Sequence, residues 1–470
     1  MRARAYRGGG EALRGEMTAF LALIFILLIS FAGSLLESAS IQSAKNYRRA
    51  DVNRALESVF AEYQRELLEE YDLFALDGSY ESGYWGEEKV TGRLAFYGAG
   101  SMEHDITRLE ILTDEGGSPF LVQVEDWVRH RYGLDKLEGL LGNAQIWGGQ
   151  EQAAEDYRKK EQAGEDHLAS LLEEQEQQLP EEGNPLDHVE GLRKSPLLSL
   201  VMPRDRQVSD KQTDLSGQPS RRSLVSGYGS FDDVAEQGEA SRLALGVYLL
   251  DHFSCAVPEG DGSGEEEVGA LAYELEYILA GKASDRENLE AVVQKILLIR
   301  LAANFAYIQT DSVSKAEASA MAGTLCALLA VPAVIQAVTQ AILFAWSFGE
   351  SIVDIRALLG GRKVPLVKDS ESWQLTLSSL LKLGDGEEWN EGKDTTGGMA
   401  YRDYIQMLLF LTGTGEAAMR SLDLIEMDLR TEKGLDWFRA DHCITKLELD
   451  SRCSLRRGIS YRFSTYFGYN

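Results

Sequence analysis

Between Met17 and Leu36 the chain runs through 20 residues without a charge, and only Thr18, Ser30 and Ser34 are polar. At ~1.5 Å per residue this run spans ~30 Å, the thickness of a bilayer's hydrocarbon core, which predicts a transmembrane helix. Beyond Glu37 the pattern changes. Val52, Ala55, Leu56, Val59, Phe60, Tyr63, Leu67 and Tyr71 form a stripe at helical spacing, with Arg49, Asp51, Arg54, Glu57, Glu62, Arg65 and Glu66 off it. No Pro or Gly interrupts 34–76, so one nearly continuous helix is predicted, half in lipid and half packed on a folded domain. The alternative is a plain signal anchor followed by an unrelated helix.

Later patterns are mainly helical. I-T-R-L-E-I-L-T alternates imperfectly at Ile106, Leu109 and Ile111, as a strand does, and Pro119 opens a helix that Gly133 ends. Residues 148–182 are rich in Glu, Gln, Lys and Ala and read as a solvated helix or charged linker without a sustained heptad. A loop follows over 202–233. Helices are predicted at 241–253 and 268–280. Gly281 then ends one helix, and the S-x-x-E box at Ser284 and Glu287 starts another that runs to about Gln309. The apolar run 316–348 is divided by Pro332 and interrupted by Gln336, Thr339 and Gln340, so two buried core helices are preferred to a second membrane crossing. Two amphipathic helices follow at 401–412 and 416–430. The tail alternates like two strands, a hairpin able to pair with the Ile106 strand.

The resulting fold class is α+β, predominantly helical: a transmembrane helix continuing into a long amphipathic helix, and a helical ectodomain with a small antiparallel sheet. The organisation is 1–16 basic N-terminus, 17–36 transmembrane helix, 37–147 long helix, strand and helix, 148–233 charged helix or linker and flexible loop, 234–440 helical core, and 441–470 C-terminal hairpin. Arg2, Arg4, Arg7 and Arg14 precede the apolar run against the single acid Glu11, so the positive-inside rule puts the N-terminus in the cytoplasm and the rest outside.

Charge and cysteine content narrow the function. A net charge of −28 with the basic residues spread along the chain argues against nucleic acid and anionic lipid as partners. Four cysteines are too few for a disulfide scaffold. Free thiols are the default expectation, with a Cys443–Cys453 bridge across the C-terminal hairpin as the alternative.

Catalytic motifs are missing: no H-E-x-x-H, G-x-S-x-G, Rossmann fingerprint, P-loop or C-x-x-C occurs, and no cofactor or metal is expected. D-G-S-G lacks the acid spacing of a calcium loop. Glu350 and Asp354 lie one turn apart and can bind a metal or share a proton, or simply pair with Arg356 or Lys363. His252 with Cys255, and His442 with Cys443, have no distinctive zinc spacing.

The G-E-M-T-A-F-L-A-L start, the acid Glu37 at the outer end of the apolar run, and N-R-A-L-E-S-V-F-A-E-Y-Q-R-E-L-L-E-E-Y-D-L-F-A-L-D resemble pseudopilin-like membrane proteins. These are encoded in Tad-type (tight adherence) pilus loci, in a long uncharacterised family of Gram-positive bacteria. E-Y-I-L-A-G-K-A-S-D-R-E-N-L-E, A-W-S-F-G-E-S-I-V-D-I-R-A-L-L-G-G and Y-R-D-Y-I-Q-M-L-L-F-L fit the same family, so the resemblance covers most of the chain. It implies a non-catalytic envelope protein whose partners are the bilayer and other Tad-type pilus proteins. Gly15 and Glu16 would flank a prepilin-type cut, although Phe20 stands where prepilins carry a Glu. Glu37 is a candidate for registering the helix against a neighbouring subunit. A membrane-anchored extracellular binding or sensor module is the alternative function.

Overall fold

The alternating segments at 103–111 and 443–468 are brought together into one sheet, and the helical periodicities pack around and beside it. The computed structural model describes residues 10–175, 178–181, 183–231, 238–258, 269–327, 331–384, 390–455 and 458–469, with side chains described outside 10–16, 134–141 and 143. In chain order the elements are α1 (Gly10–Phe60), α2 (Arg65–Tyr71), β1 (Leu76–Asp77), α3 (Glu87–Leu94), β2 (Glu103–Ile111), α4 (Asp114–Glu174), α5 (Pro185–Arg193), α6 (Leu197–Val201) and α7 (Glu239–His252). They continue with α8 (Glu274–Ala280), α9 (Asp285–Ile308), α10 (Ser312–Leu325), α11 (Pro332–Leu359), α12 (Leu377–Leu380), α13 (Tyr401–Leu411), α14 (Thr414–Thr431), β3 (Cys443–Ser454) and β4 (Ser460–Gly468). The chain is α+β and predominantly helical, with a small antiparallel sheet.

Strand β3 is central. It pairs with β2 along one edge (Ile106 opposite Leu449, Leu109 opposite Leu447), so β4 and the short β1 share the other edge. The imperfect alternation of β2 has a cause. The register shifts between Ile106 and Arg108, so Thr107 is an extra residue, and Ile106 and Leu109, three apart in sequence, reach the same face. The predicted union of the terminal hairpin with the Ile106 strand is present.

Buried apolar residues fall into two clusters. The smaller packs α1 and α3 on the sheet through Val52, Leu56, Val59, Phe60, Val90, Leu94, Leu109, Ile111, Leu447, Leu449 and Phe463. The larger gathers the remaining helices, from Leu67 to Cys443. This division corrects the reading of one helix through residue 76. The helix ends at Phe60, and Gln64 N–H donates to Ala75 O at 2.8 Å as the chain turns into α2. The stripe is unbroken in sequence, but Val52–Phe60 serve the small core while Leu67 and Tyr71 serve the large one. A straight helix cannot face both.

The charged stretch after residue 148 also differs from expectation. It continues α4, which is interrupted at Glu115–Gly117 and at Gly133 (φ 73°, ψ 170°). Trp147, Ala154, Tyr157 and Leu168 recur on a narrow face and are buried against α9 and α11. Nor is 202–231 a loose loop. Carboxylates hold its backbone: the buried Asp423 accepts from Ser220 N and the buried Asp441 from Val225 N, and the half-buried Asp114 accepts from Gly227 N, at 2.7, 3.0 and 2.9 Å.

The capped turn before α9 forms with the Ser284 half of the predicted box. Gly281 takes φ 63°, the Ser284 hydroxyl accepts from Glu287 N, and Asn288 brackets both Lys282 N and Lys282 O. Helix α8 begins only at Glu274, and the non-helical residues before it are tied to Asp285, which accepts from Ala272 N and Tyr273 N. The apolar run 316–348 folds as the α10–α11 hairpin, with α11 buried from Ile342 to Leu359. Among the described residues two helices are long and apolar enough to cross a membrane, α1 and α9. Helix α9 is half buried inside the core and carries the fully buried Arg300, whereas none of the apolar window of α1 is buried.

Candidate functional site: the mount of the apolar helix

Helix α1 has two faces of behaviour along its length. Met17, Phe20, Leu21, Phe25, Ile26, Leu28, Phe31 and Leu36 are all more than half exposed, and no side of this half is covered. From Val52 the same helix is clamped. The Tyr461 hydroxyl donates to Lys45 O at 3.3 Å, and the Tyr469 hydroxyl donates to Phe60 O. Phe60 packs on Phe467 and Tyr469 with ring centroids at 4.6 and 5.2 Å. Lys45 Nζ lies 5.1 Å from the Tyr461 ring and the Arg49 guanidinium 5.4 Å from that of Phe463. Strand β4 therefore runs alongside α1 and in the same direction.

The end of the helix is locked by charge. Arg93 Nε donates to Glu62 Oε2 at 3.0 Å, and Tyr97 donates to Glu62 Oε1 at 2.6 Å. Burial opposes ionisation of Glu62, but these donors outweigh it and hold the carboxyl below its ordinary range. The Arg93 guanidinium also lies 4.8 Å from the Phe96 ring. The arrangement supports a rigid connection between a bare apolar helix and a folded domain.

Glu37 is exposed on α1, immediately past the apolar run. Gly15 and Glu16 fall outside the residues whose side chains are described. The proposed Cys443–Cys453 bridge is corrected. Both residues lie on β3, ten positions apart, so at ~3.3 Å per residue they are ~33 Å from each other, far beyond disulfide reach. The hairpin turn comes after Cys453 rather than between the two, and all four cysteines are free thiols.

Glu350 and Asp354 are brought together, but into an ion network with partners other than those expected. Arg300 and Lys368 take the places assigned to Arg356 and Lys363. Lys368 Nζ lies 2.5 Å from Glu350 Oε1 and 2.7 Å from Asp354 Oδ1, and Arg300 Nη2 lies 2.9 Å from Asp354 Oδ2. All four side chains are fully buried. Asn304, Tyr404 and the backbone N–H of Leu375 complete the hydrogen bonds. Burial opposes ionisation of Asp354, but Arg300 and Lys368 prevail and lower its pKa. Burial, with Asp354 alongside, raises that of Glu350. With two cations and two anions the network is neutral, which is what its burial requires. Arg356 instead donates to Leu200 O and Asn390 O. His252 and Cys255 do not converge: His252 contacts Tyr248 O and Asp72, and the Cys255 thiol donates to Val257 O. Cys443 donates to Arg439 O rather than meeting His442 at a metal. Among the described residues no group of three or more His, Cys, Asp or Glu is placed to hold a metal ion.

A second feature escaped sequence reasoning. Arg222 binds Glu426 through two hydrogen bonds of 2.7 and 2.8 Å and reaches Asp441 at 2.5 Å. Arg439 and Arg430 add contacts of 3.2 and 3.4 Å to the same two carboxylates, which are fully buried. These arginines, with Trp437, Asp436, Gly83 and Gly217, line a cavity of about 330 Å³. The available signal was the run D-L-I-E-M-D in α14, where acids interrupt an otherwise apolar segment. Its partners lie some 200 residues earlier.

No curated protein and no solved structure matches the chain. One family model does, over residues 174–455, from the end of α4 through β3. That span is more than half of the chain and takes in the cavity arginines, the buried ion network and the central strand, and by it the protein belongs to the family of unknown function DUF5702.

Proposed function

We propose that this protein is a non-catalytic, membrane-anchored extracytoplasmic component of an envelope assembly of the Tad-pilus type. The observation that carries the reading is the continuity of α1, which is bare and apolar over Met17–Leu36 and buried on the sheet from Val52 to Phe60. A cleaved signal sequence has no need to run as one helix into the core of the mature domain. The arginines at positions 2, 4, 7 and 14 support an N-terminus held in the cytoplasm, with the domain outside. The pilus assignment rests on the resemblance of the N-terminal helix to pseudopilin-like proteins.

Intact-mass and N-terminal analysis of the membrane-extracted protein tests this. An N-terminus at Glu16 supports processing and entry into a filament or its platform. An intact N-terminus makes the chain a permanent anchor. A chain beginning after residue 36 and found only in the medium sinks the anchor reading. The alternative, an anchored binding or sensor module, draws support from the cavity lined by Arg222, Arg430, Arg439 and Trp437, which offers polar groups beside an indole.

A further inference from the structure

The chain carries a net charge of −28, but the end of the small core nearest the apolar helix is basic. Lys45–Arg54 contains four basic residues against the single acid Asp51, and the stretch 452–462 contains no acid at all. Arg49, Arg452 and Arg462 are exposed, as is Tyr47 at 72%. Lys45 and Arg49 lie over aromatic rings, and among the described residues neither is ion-paired, whereas Arg48 lies 3.9 Å from Asp51 and Arg452 3.9 Å from Glu103.

The geometry of the mount says where this patch sits. Tyr461 is level with Lys45, and Tyr469 with Phe60. Fifteen helical residues advance ~22 Å, and eight strand residues ~26 Å, so helix and strand are nearly parallel. Lys45 is nine residues past Leu36, ~13 Å beyond the end of the apolar run along the axis. Ile459, which accepts from Leu455 N at 2.7 Å at the hairpin tip, is two strand residues nearer, at ~7 Å. The polar layer of a bilayer leaflet is ~5–8 Å deep, and charge acts over a further ~8 Å at physiological salt.

We propose that this collar of Lys45, Arg49 and Arg462, with Tyr47 and the hairpin tip at Leu455 and Ile459, docks on the anionic phosphate headgroups of the leaflet from which α1 emerges. The proposal rests on the anchored reading and adds a second, electrostatic contact to it. Two contacts fix the height and tilt of the domain, whereas a single helix leaves both to the lipid. The acidic remainder of the ectodomain is repelled by the same surface, which orients the domain with its collar down.

Full-length protein in nanodiscs tests this with an environment-sensitive dye at Ser460→Cys in a Cys255→Ser background. The expected result is a blue-shifted emission in phosphatidylglycerol nanodiscs relative to phosphatidylcholine ones. The shift should disappear in 0.5 M salt (roughly a 4 Å screening length) and in the Lys45→Gln/Arg49→Gln/Arg462→Gln variant. Should that variant fail to fold, the salt series on the parent chain decides alone. A dye at Ile29→Cys reports the anchor separately. Equal Ser460→Cys emission in both lipids, with Ile29→Cys apolar in both, overturns the collar and leaves the anchor standing. A water-exposed dye at Ile29→Cys in both lipids removes the anchor and the collar together.

Discussion

The Tyr461 hydroxyl donates to the backbone carbonyl of Lys45, fastening the last strand of the chain to the helical turns nearest the apolar half of α1. A carbonyl already inside a helix gains little from a second donor, so the bond locates rather than stabilises. Its neighbour Phe463 is 6% exposed in the small core and does the energetic work. Tyr461→Phe is expected to cost less than ~1 kcal/mol and Phe463→Ala ~3 kcal/mol or more. Denaturant unfolding of the nanodisc-held protein checks the order, and equal losses would show that the mount is not packed as described.

The buried network should respond asymmetrically. Arg300→Met leaves Asp354 with Lys368 alone in the core and is expected to destabilise by ~3–5 kcal/mol. Replacing both carboxylates and both cations with apolar residues of similar volume restores much of that loss. If the single variant unfolds at the parent's denaturant midpoint, the network is not closed to water.

Stability should fall as pH rises from about 5 through neutral. Burial raises the Glu276 carboxyl from 4.5 to about 7, against the opposing Ala256 N–H and Tyr401 hydroxyl. Burial likewise raises Glu274, Asp428 and Asp423. A group whose folded pKa is raised holds its proton more tightly when folded. Its contribution is full below the unfolded value and is lost as pH rises through the folded one, here between 4.5 and about 7 for Glu276. Asp354 and Asp441 have lowered values and act oppositely, losing their contribution only in stronger acid. The thermal midpoint is therefore expected to be higher near pH 5 than at pH 8. Glu276→Gln should remove a share on the order of 2–3 kcal/mol of that difference. A flat profile for the parent chain would contradict the burial of these carboxyls.

Thiol titration gives a direct count. Four free cysteines are expected after denaturation without reductant, and in the native state Cys255 should react first, because Cys326, Cys443 and Cys453 are buried. Burial also raises the Cys443 thiol well above its ordinary value, slowing it further. A count of two would restore the disulfide that the strand geometry rules out.

Legibility followed sequence distance. Elements set by local chemistry were readable: the apolar run of α1, the Ser284 cap, the break at Pro332 and the alternation of β2 and β4. The carboxylates that strap the 202–231 segment were not, because Asp423 and Ser220 carry no mutual signature across two hundred residues. Glu350 and Asp354 were correctly singled out as a pair, but proximity in sequence pointed to Arg356 and Lys363 when Arg300 and Lys368 were the true partners. The buried stripe Trp147–Leu168 was hidden by spacing, since four buried apolar residues over about six turns look like a solvated helix until the partner surface is known.

Because β3 pairs with β1 and β2 across more than 300 residues, the surface that seats α1 is missing its central strand until almost the whole chain has been made. A nascent or prematurely terminated product would hold Val52, Val59 and Phe60 against an incomplete sheet with two unsatisfied edges. Completion of the last 28 residues thus acts as a checkpoint. Only a chain that reaches β3 and β4 can bury the seat of its own first helix, and any shorter one exposes it to proteolysis.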